Sequence, residues 1–171
     1  MFVPGHNDRL LASASRSEAD VLLLDIEDSV QPVDNKQVAR DKIHQWVTEG
    51  KFNNHKVFPR VNDRESGQLL KDIYQLTIPG VHGFMYPKSK LGEDVYFIDK
   101  LLETIEYEKG FPIGTFKLIP LIETAAAVLN SAGAVATAPV SGSPYTVTPS
   151  VAVGTGLANY NIIYTDGSLT V

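Results

Sequence analysis

The residues best suited to chemistry in this sequence follow two of its apolar runs. The run 21-VLLL-24 is followed by three carboxylates: Asp25, Glu27 and Asp28. Another run ends at Arg60. Clustered carboxylates can hold Mg²⁺ or Mn²⁺, and the planar fork of an arginine can clamp a substrate carboxylate. A metal beside a bound 2-oxo acid could polarise its carbonyl group and stabilise an enolate, as making or breaking a carbon–carbon bond requires.

Two later apolar runs end near Lys88 and Glu123, which extend the same pattern. Each candidate also has a purely structural interpretation. Asp28 could cap or solvate a loop, and Arg60 could serve only in a structural ion pair. Lys88 could be a solvated loop lysine, and Glu123 could be a first-turn helix residue favoured by the helix dipole. Only their joint placement at the ends of predicted strands favours a shared site.

Asp25 and Glu27 are two residues apart, so both side chains face the same way if the strand persists. Two like charges on one face are costly without a cation between them or beside them. The spacing therefore favours a functional role for this pair.

The sequence predicts alternating strands and helices over residues 1–131. The strands are short and apolar: Phe2–Val3, Val21–Asp25, Lys56–Val61, Gly83–Tyr86 and Phe116–Leu121. The helices between and after them are Asp8–Ser17, Lys36–Glu49, Glu65–Leu76, Glu93–Glu108 and Thr124–Asn130. Such alternation gives parallel βαβ units, whose reactive groups sit at the carboxyl ends of the strands. All the candidate residues occupy that position.

The second predicted helix has the clearest sequence pattern. Asp34 followed three residues later by Gln37 predicts a capping box at its start. Ala39, Ile43, Trp46 and Val47 repeat at helical spacing and predict its buried face.

Composition excludes several classes of function. The net charge is −5 and no basic block is present, which argues against a nucleic-acid partner and against attraction to anionic membranes. Without any cysteine, disulfides and thiol catalysis are excluded. We expect a cytoplasmic protein, because no signal pattern and no membrane-length apolar run is found.

The composition changes sharply along the chain. All 15 Lys and Arg residues lie within residues 1–131, and Asp166 is the only charged residue after them. We therefore predict a barrel-type domain over 1–131, a linker over 132–144 and a β-hairpin tail over 145–171. The tail contains Asp166-Gly167 between two β-rich runs, a strong hairpin signal.

Five segments carry a family resemblance: FVPGHNDR (2–9), EADVLLLDIEDSVQPVDNKQVAR (18–40), PRVND (59–63), GFMYPK (83–88) and LIPLIETAAAVLN (118–130). In order and spacing they resemble the citrate lyase β-subunit-like branch of the HpcH/HpaI aldolase family. The resemblance implies a TIM-type (β/α) barrel, here of about five βα units. It also implies Mg²⁺-dependent cleavage or condensation of an acyl-CoA or acyl-carrier thioester with a 2-oxo acid, and we expect a homo-oligomer.

The resemblance also implies roles for individual residues. Arg60 matches the arginine that holds the 2-oxo acid, and Glu123 matches the first metal ligand. Asp25 and Glu27 match the acidic lining of the site and are the expected catalytic partners of Arg60. Asp28 and the lysine of the family's Pro-Lys step, Lys88, are expected to contact substrate.

Two features depart from the family pattern. The family continues with a sixth strand bearing a second metal-ligand aspartate, and residues 131–151 contain no aspartate. Residues 144–171 are instead similar to the closing portion of MBG-type β-sandwich repeats of bacterial surface proteins. We therefore expect impaired lyase activity. The alternative is a non-catalytic fragment or fusion in which the tail serves as a β-rich interaction module.

Overall fold

Five short apolar segments form one parallel sheet. A computed structural model of the chain describes residues 1–123, 129–130, 141, 145–149 and 167–169. The strands are β1 (Phe2–Pro4), β2 (Val21–Asp25), β3 (Lys56–Arg60), β4 (Gly83–Tyr86) and β5 (Lys117–Pro120). They are hydrogen-bonded in chain order, and every neighbouring pair is parallel. The predicted α/β class with about five parallel strands is confirmed.

Helices connect successive strands of the sheet. They are α1 (Asp8–Ala14), α2 (Asn35–Thr48), α3 (Leu69–Leu76) and α4 (Gly92–Lys109). The single helix predicted over Glu65–Leu76 is wrong in its first part. A turn of 3₁₀ helix over Arg64–Ser66 is followed by Gly67 at φ 69°, and this left-handed residue separates the turn from α3.

Helix α2 confirms the predicted buried face but not the predicted start. Ala39, Ile43 and Val47 are all buried, and Trp46 is partly buried against the core. Asp34 already has helical backbone angles, φ −63° and ψ −28°, and its side chain makes no capping hydrogen bond. The capping box with Gln37 is therefore wrong, because the turn before the helix leaves no extended residue from which a cap could fold back.

The hydrophobic core lies between the sheet and the helices. Leu22 and Leu24 of β2 and Phe84 of β4 are fully buried in it, together with Ile43 of α2 and Ile98 of α4. This packing fixes one face of each strand against the helical layer, and so fixes where the carboxyl end of each strand projects.

Three short antiparallel strands are described after β5, and the last two of them lie in the predicted tail. They are β6 (Leu129–Asn130), β7 (Tyr145–Pro149) and β8 (Gly167–Leu169). The end of the helix predicted over Thr124–Asn130 is therefore wrong, and residues 124–128 lie outside the described residues. Gly167 lies in β8 opposite Val147, and Asp166 of the predicted hairpin turn is outside the described residues. The domain boundaries and the MBG-type resemblance stay predictions.

Among the described residues, no helix is both long enough and apolar enough to cross a membrane.

Candidate active site

The ends of the first four strands lie side by side. Pro4 of β1 is level with Asp25 of β2, which is level with Arg60 of β3, and Arg60 is level with Met85 of β4. Because the strands are parallel, their carboxyl ends and the loops that follow meet at one edge of the sheet. This edge brings together residues that are far apart in the sequence.

Arg60 is held at this edge by Asp25. Its Nε donates to Asp25 Oδ1 and its Nη2 to Asp25 Oδ2, both at 2.7 Å. Asp25 is 2% exposed, and the Arg60 guanidinium carbon lies 5.3 Å from the centre of the Phe2 ring. A bidentate pair and an aromatic face together restrict the guanidinium to one orientation. Its Nη1 is left to point at other partners.

The main chain also holds the Asp25 carboxylate. The N–H of Glu27 donates to Oδ1 at 2.9 Å and the N–H of Ser29 donates to Oδ2 at 3.0 Å. Burial by itself raises the pKa of Asp25, but the hydrogen bonds from Arg60, Ser29 and Glu27 outweigh it and hold the pKa below its usual value. The hydrogen bonds to Asp25 likewise raise the pKa of Arg60. Both groups are therefore charged at neutral pH.

Glu27 lies between two cations. Its Oε2 is 3.1 Å from Arg60 Nη1 and its Oε1 is 2.9 Å from Lys88 Nζ. The same Lys88 ammonium donates to Asp63 Oδ2 at 2.9 Å. Arg60 and Lys88 thus alternate with Asp25, Glu27 and Asp63 in one ion network at the strand ends.

The Glu27 carboxylate is close to its partners but poorly aligned with them. Both of its oxygens are buried, and neither accepts a well-directed hydrogen bond from the described residues. Burial raises the pKa of Glu27, and the charges of Lys88 and Arg60 only partly oppose that effect. By contrast, the neighbouring carboxylates of Glu27 and Asp63 raise the pKa of Lys88. Glu27 is the least well satisfied charge in the network.

The backbone of Lys88 directs a further group at this edge. Lys88 is the one non-glycine residue with a positive φ among the described residues, at 53°. In that conformation its N–H donates to Glu123 Oε1 at 3.1 Å. Strained backbone conformations of this kind persist only where the surroundings hold them, and they are frequent at functional sites.

A cavity of about 330 Å³ opens beside the guanidinium. Its lining residues come from β1, β2, β3 and the loop after β2: Phe2, Pro4, Asp25, Ser29 and Arg60. The cavity is large enough for a small organic acid, and it offers an oriented cation together with an apolar wall.

The structure brings together most of the residues that the sequence predicts. Asp25, Glu27, Arg60 and Lys88 are in one network, and Glu123 touches the main chain of Lys88. Asp28 is peripheral, because its side chain is 69% exposed and its Oδ2 is 3.7 Å from Arg60 Nη1.

Sequence reasoning missed two contributors, Asp63 and Ser29. Asp63 pairs with Lys88, and Ser29 donates its N–H to Asp25. Asp63 lies three residues after the last residue of β3, at the same edge, which is a signal that could have found it. Nothing in the residue type of Ser29 marks it, since only its main chain acts.

The described residues offer a limited fit for a divalent metal. Within these residues no group of three His, Asp or Glu side chains could hold an ion. Asp25, Glu27 and Asp63 are each paired with Arg60 or Lys88. Glu123 is exposed and accepts only the Lys88 N–H among the described groups, so it keeps lone pairs for a cation. One carboxylate fits Mg²⁺, which is commonly held by one or two carboxylates, waters and substrate oxygens.

The geometry can be compared with known proteins. The model of the HpcH/HpaI aldolase/citrate lyase family matches residues 1–142. The chain belongs to this family. It is 27% identical over 131 residues to the citrate lyase subunit beta of Leuconostoc mesenteroides subsp. cremoris, covering 77% of this chain and 43% of that protein. It is 32% identical over 133 residues to the L-malyl-CoA/beta-methylmalyl-CoA lyase of Rhodobacter capsulatus, covering 76% of this chain and 41% of that one.

Solved structures support the fold. A malate synthase from Haloferax volcanii, solved as a lead(II) complex, superposes with a TM-score of 0.65 at 23% identity. The match covers 74% of this chain and 41% of that chain. The chain spans about two fifths of the length of the curated relatives it matches.

Proposed function

We propose that this chain carries the oxo-acid site of a carbon–carbon lyase of the citrate lyase β type. The reaction is cleavage or condensation that joins an acyl-CoA or acyl-carrier thioester and a 2-oxo acid. The observation that carries the proposal is Arg60, an oriented guanidinium at the strand ends that opens onto a cavity of about 330 Å³. Membership of the family and the names of the relatives support the same reaction class.

The chemistry assigns the cation a definite task. In the cleavage direction the β-hydroxyl group loses its proton and becomes the carbonyl of the 2-oxo acid, while the Cα–Cβ bond breaks. The bonding electrons pass to the thioester as an enolate, which is then protonated. Arg60 binds the carboxylate of the oxo acid and so holds this fragment in place while the bond breaks.

The neighbouring side chains act mainly through Arg60 and Lys88. Asp25 positions Arg60, since its carboxylate accepts hydrogen bonds from the Nε and Nη2 groups of the guanidinium. Glu27 and Lys88 set the charge beside Nη1, and Asp28 contributes at the rim of the site. Of the predicted catalytic residues, Arg60 is therefore the one that we propose to touch substrate.

We propose Mg²⁺, or Mn²⁺ in its place, as the cofactor, with Glu123 as its protein ligand. Such an ion would supply Lewis-acid polarisation of the oxo-acid carbonyl. The cytoplasmic location and the homo-oligomer stay predictions.

Binding of a 2-oxo acid tests the proposal. We expect glyoxylate to bind the wild-type chain in isothermal titration calorimetry, and Arg60→Met to weaken its affinity at least about 100-fold through the lost carboxylate clamp. Arg16→Met is the matched control, because Arg16 is exposed and lies beyond α1, at the opposite end of the sheet. Equal affinity in Arg60→Met and wild type would rule out the proposed role of Arg60. Cleavage of malyl-CoA or citryl-CoA with Mg²⁺ then tests the reaction itself.

A metal titration tests Glu123 separately. We expect Mg²⁺ or Mn²⁺ to raise the melting temperature of the wild-type chain and of the control variant Glu18→Ala. Glu18 is exposed and lies before β2, at the opposite end of the sheet from the candidate site. Glu123→Ala should abolish the shift. A shift that survives in Glu123→Ala would place the metal elsewhere.

A further inference from the structure

A buried lysine supports the loop that carries Glu27. Lys36 of α2 is 6% exposed, and its Nζ donates to the carbonyl oxygens of Ile26 at 3.0 Å and Glu27 at 2.9 Å. No described carboxylate lies within salt-bridge distance of it, and burial lowers the pKa of its ammonium. A buried ammonium satisfied by main-chain carbonyls is costly, so its position calls for a role.

A second buried cation on the same face of α2 is linked to the loop after β3 through Asp72. Arg40, one helical turn after Lys36, donates from Nη1 to Asp72 Oδ1 of α3 at 2.6 Å. The other oxygen of Asp72 accepts from the main-chain N–H of Asn62 at 2.8 Å and from its side-chain amide at 2.7 Å. Asp72 thereby fixes the residue directly before Asp63.

The two supports meet at a single carbonyl oxygen. Ile26 O accepts from Lys36 Nζ and also from the Asn62 side-chain amide, at 3.3 Å. The next residue in each loop forms an ion pair with Lys88: Glu27 follows Ile26, and Asp63 follows Asn62. The buried groups therefore set the spacing between the two carboxylates that hold Lys88.

We propose that Lys36 and Asp72 are positioning residues of the oxo-acid site. They fix the loops after β2 and β3, so that Glu27 lies beside Arg60 and Lys88 before any ligand arrives. This inference rests on the proposed function for its ligand, but the loop arrangement itself can be tested without one.

The chain contains a matched lysine for the test. Lys109 of α4 also donates its ammonium to two main-chain carbonyls, those of Tyr74 and Thr77, and burial lowers its pKa as well. Those carbonyls precede β4, at the amino ends of the strands. Lys109→Met thus removes the same kind of contact as Lys36→Met, but away from the site.

Amide hydrogen exchange without ligand is the first measurement. We expect Lys36→Met to raise exchange at least about tenfold at the Glu27 and Ser29 amides, which depend on the loop to reach Asp25. Exchange in the middle of β2, at Leu23 and Leu24, should stay unchanged, and Lys109→Met should leave Glu27 and Ser29 protected. A uniform rise through the sheet, or no rise at the two loop amides, would overturn the inference.

Glyoxylate affinity is the second measurement. Lys36→Met should weaken binding about tenfold in the wild-type background but less than about twofold in Glu27→Gln, since its effect passes through Glu27. Lys109→Met should change neither affinity. Equal losses in both backgrounds would contradict a positioning role. If the wild-type chain does not bind glyoxylate, the proposed function fails, and the exchange measurement still decides whether Lys36 fixes the loop.

Discussion

Buried glutamates lie at both ends of the sheet, and they are satisfied in different ways. Glu106 of α4, 1% exposed, accepts main-chain N–H groups from Gly114 at 2.7 Å and Phe116 at 2.8 Å, just before β5 begins. Glu27, at the carboxyl ends, has two side-chain cations beside it and no well-directed hydrogen bond among the described groups. Main-chain N–H groups bind the Glu106 carboxylate. The Glu27 carboxylate is bound by two side-chain cations, which can also bind a second anion.

We interpret the difference as one between a structural role for Glu106 and the proposed functional role for Glu27. Main-chain donors satisfy Glu106 permanently, so its carboxylate contributes to stability and has nothing left to offer a ligand. Arg60 and Lys88 satisfy Glu27 incompletely, and in the proposed function an incoming carboxylate joins it at those cations. A site kept in this state is less stable than the fold allows, as is common for binding sites.

The largest effect on stability is expected from breaking the Asp25 pair. Arg60→Met should lower the free energy of unfolding by about 3 kcal/mol at pH 7, because it leaves a buried carboxylate without its counter-ion. The loss should shrink toward pH 3. The lowered pKa of Asp25 stabilises folded wild type at pH values above the unfolded pKa of 3.8, and this stabilisation is lost as the pH falls through the folded pKa. Arg60→Met lacks this stabilisation at every pH.

Urea denaturation between pH 3 and pH 7 measures this difference. Arg16→Met is the control, with an expected change within about 0.5 kcal/mol for an exposed site. A deficit in Arg60→Met that does not depend on pH would contradict the assignment of the loss to Asp25.

Removing the structural carboxylate should have a smaller effect, and only on stability. Glu106→Ala should lower the free energy of unfolding by about 2 kcal/mol, since the N–H groups of Gly114 and Phe116 lose their acceptor. Glyoxylate affinity of the folded variant should equal that of wild type. Asp99→Ala, an exposed site on the same helix, serves as the control in both measurements. Reduced affinity in Glu106→Ala would erase the distinction between the two ends of the sheet.

Glu27→Gln should raise the free energy of unfolding slightly, by less than about 1 kcal/mol, whereas Glu106→Ala lowers it. Because the folded pKa of Glu27 is raised above its usual value of 4.5, ionisation costs stability as the pH rises from 4.5 through the folded pKa. The amide removes that cost, so the variant should equal or exceed wild type at pH 8 and show no advantage at pH 4. Thermal unfolding at the two pH values measures this. A clear loss at pH 8 would show that Glu27 stabilises the fold as Glu106 does.

The smallest effect is expected at Lys88. Lys88→Gly should change the free energy of unfolding by less than about 0.5 kcal/mol, because glycine accepts φ 53° without strain and so offsets the loss of partly exposed ion pairs. Lys88→Ala keeps the strain and should be about 1 kcal/mol less stable than Lys88→Gly. Lys90, which has no positive φ, provides the control pair, in which alanine should be at least as stable as glycine. If alanine is at least as stable as glycine at position 88 as well as at position 90, the backbone of Lys88 is unstrained.

Much of the fold follows from local pattern. The apolar runs predict all five parallel strands to within about a residue at each end, and the spacing of Ala39, Ile43 and Val47 predicts the buried face of α2. The misses come from local geometry that residue types do not fix. Gly67 splits a predicted helix, and the turn before α2 leaves Asp34 unable to cap it.

The candidate site is predicted less completely. The positions of Asp25, Glu27, Arg60 and Lys88 at strand ends follow from the sequence, but the contacts behind the proposed roles of Lys36 and Asp72 do not. A lysine on the apolar face of α2, one turn before a buried arginine, was the available signal for Lys36. Asp72 gives none, because its partners are Arg40 and Asn62, which belong to other elements.

The sequence by itself determined which residues reach the carboxyl edge of the sheet, since strand length and parallel connection decide where each strand ends. Only the tertiary structure decided which charge meets which. Asp25 takes two donors of Arg60, Lys88 is shared by Glu27 and Asp63, and the pairing depends on strand register and loop support. Ion pairs change in strength over tenths of an ångström, and distances of that size are set by packing rather than by the order of residues along the chain.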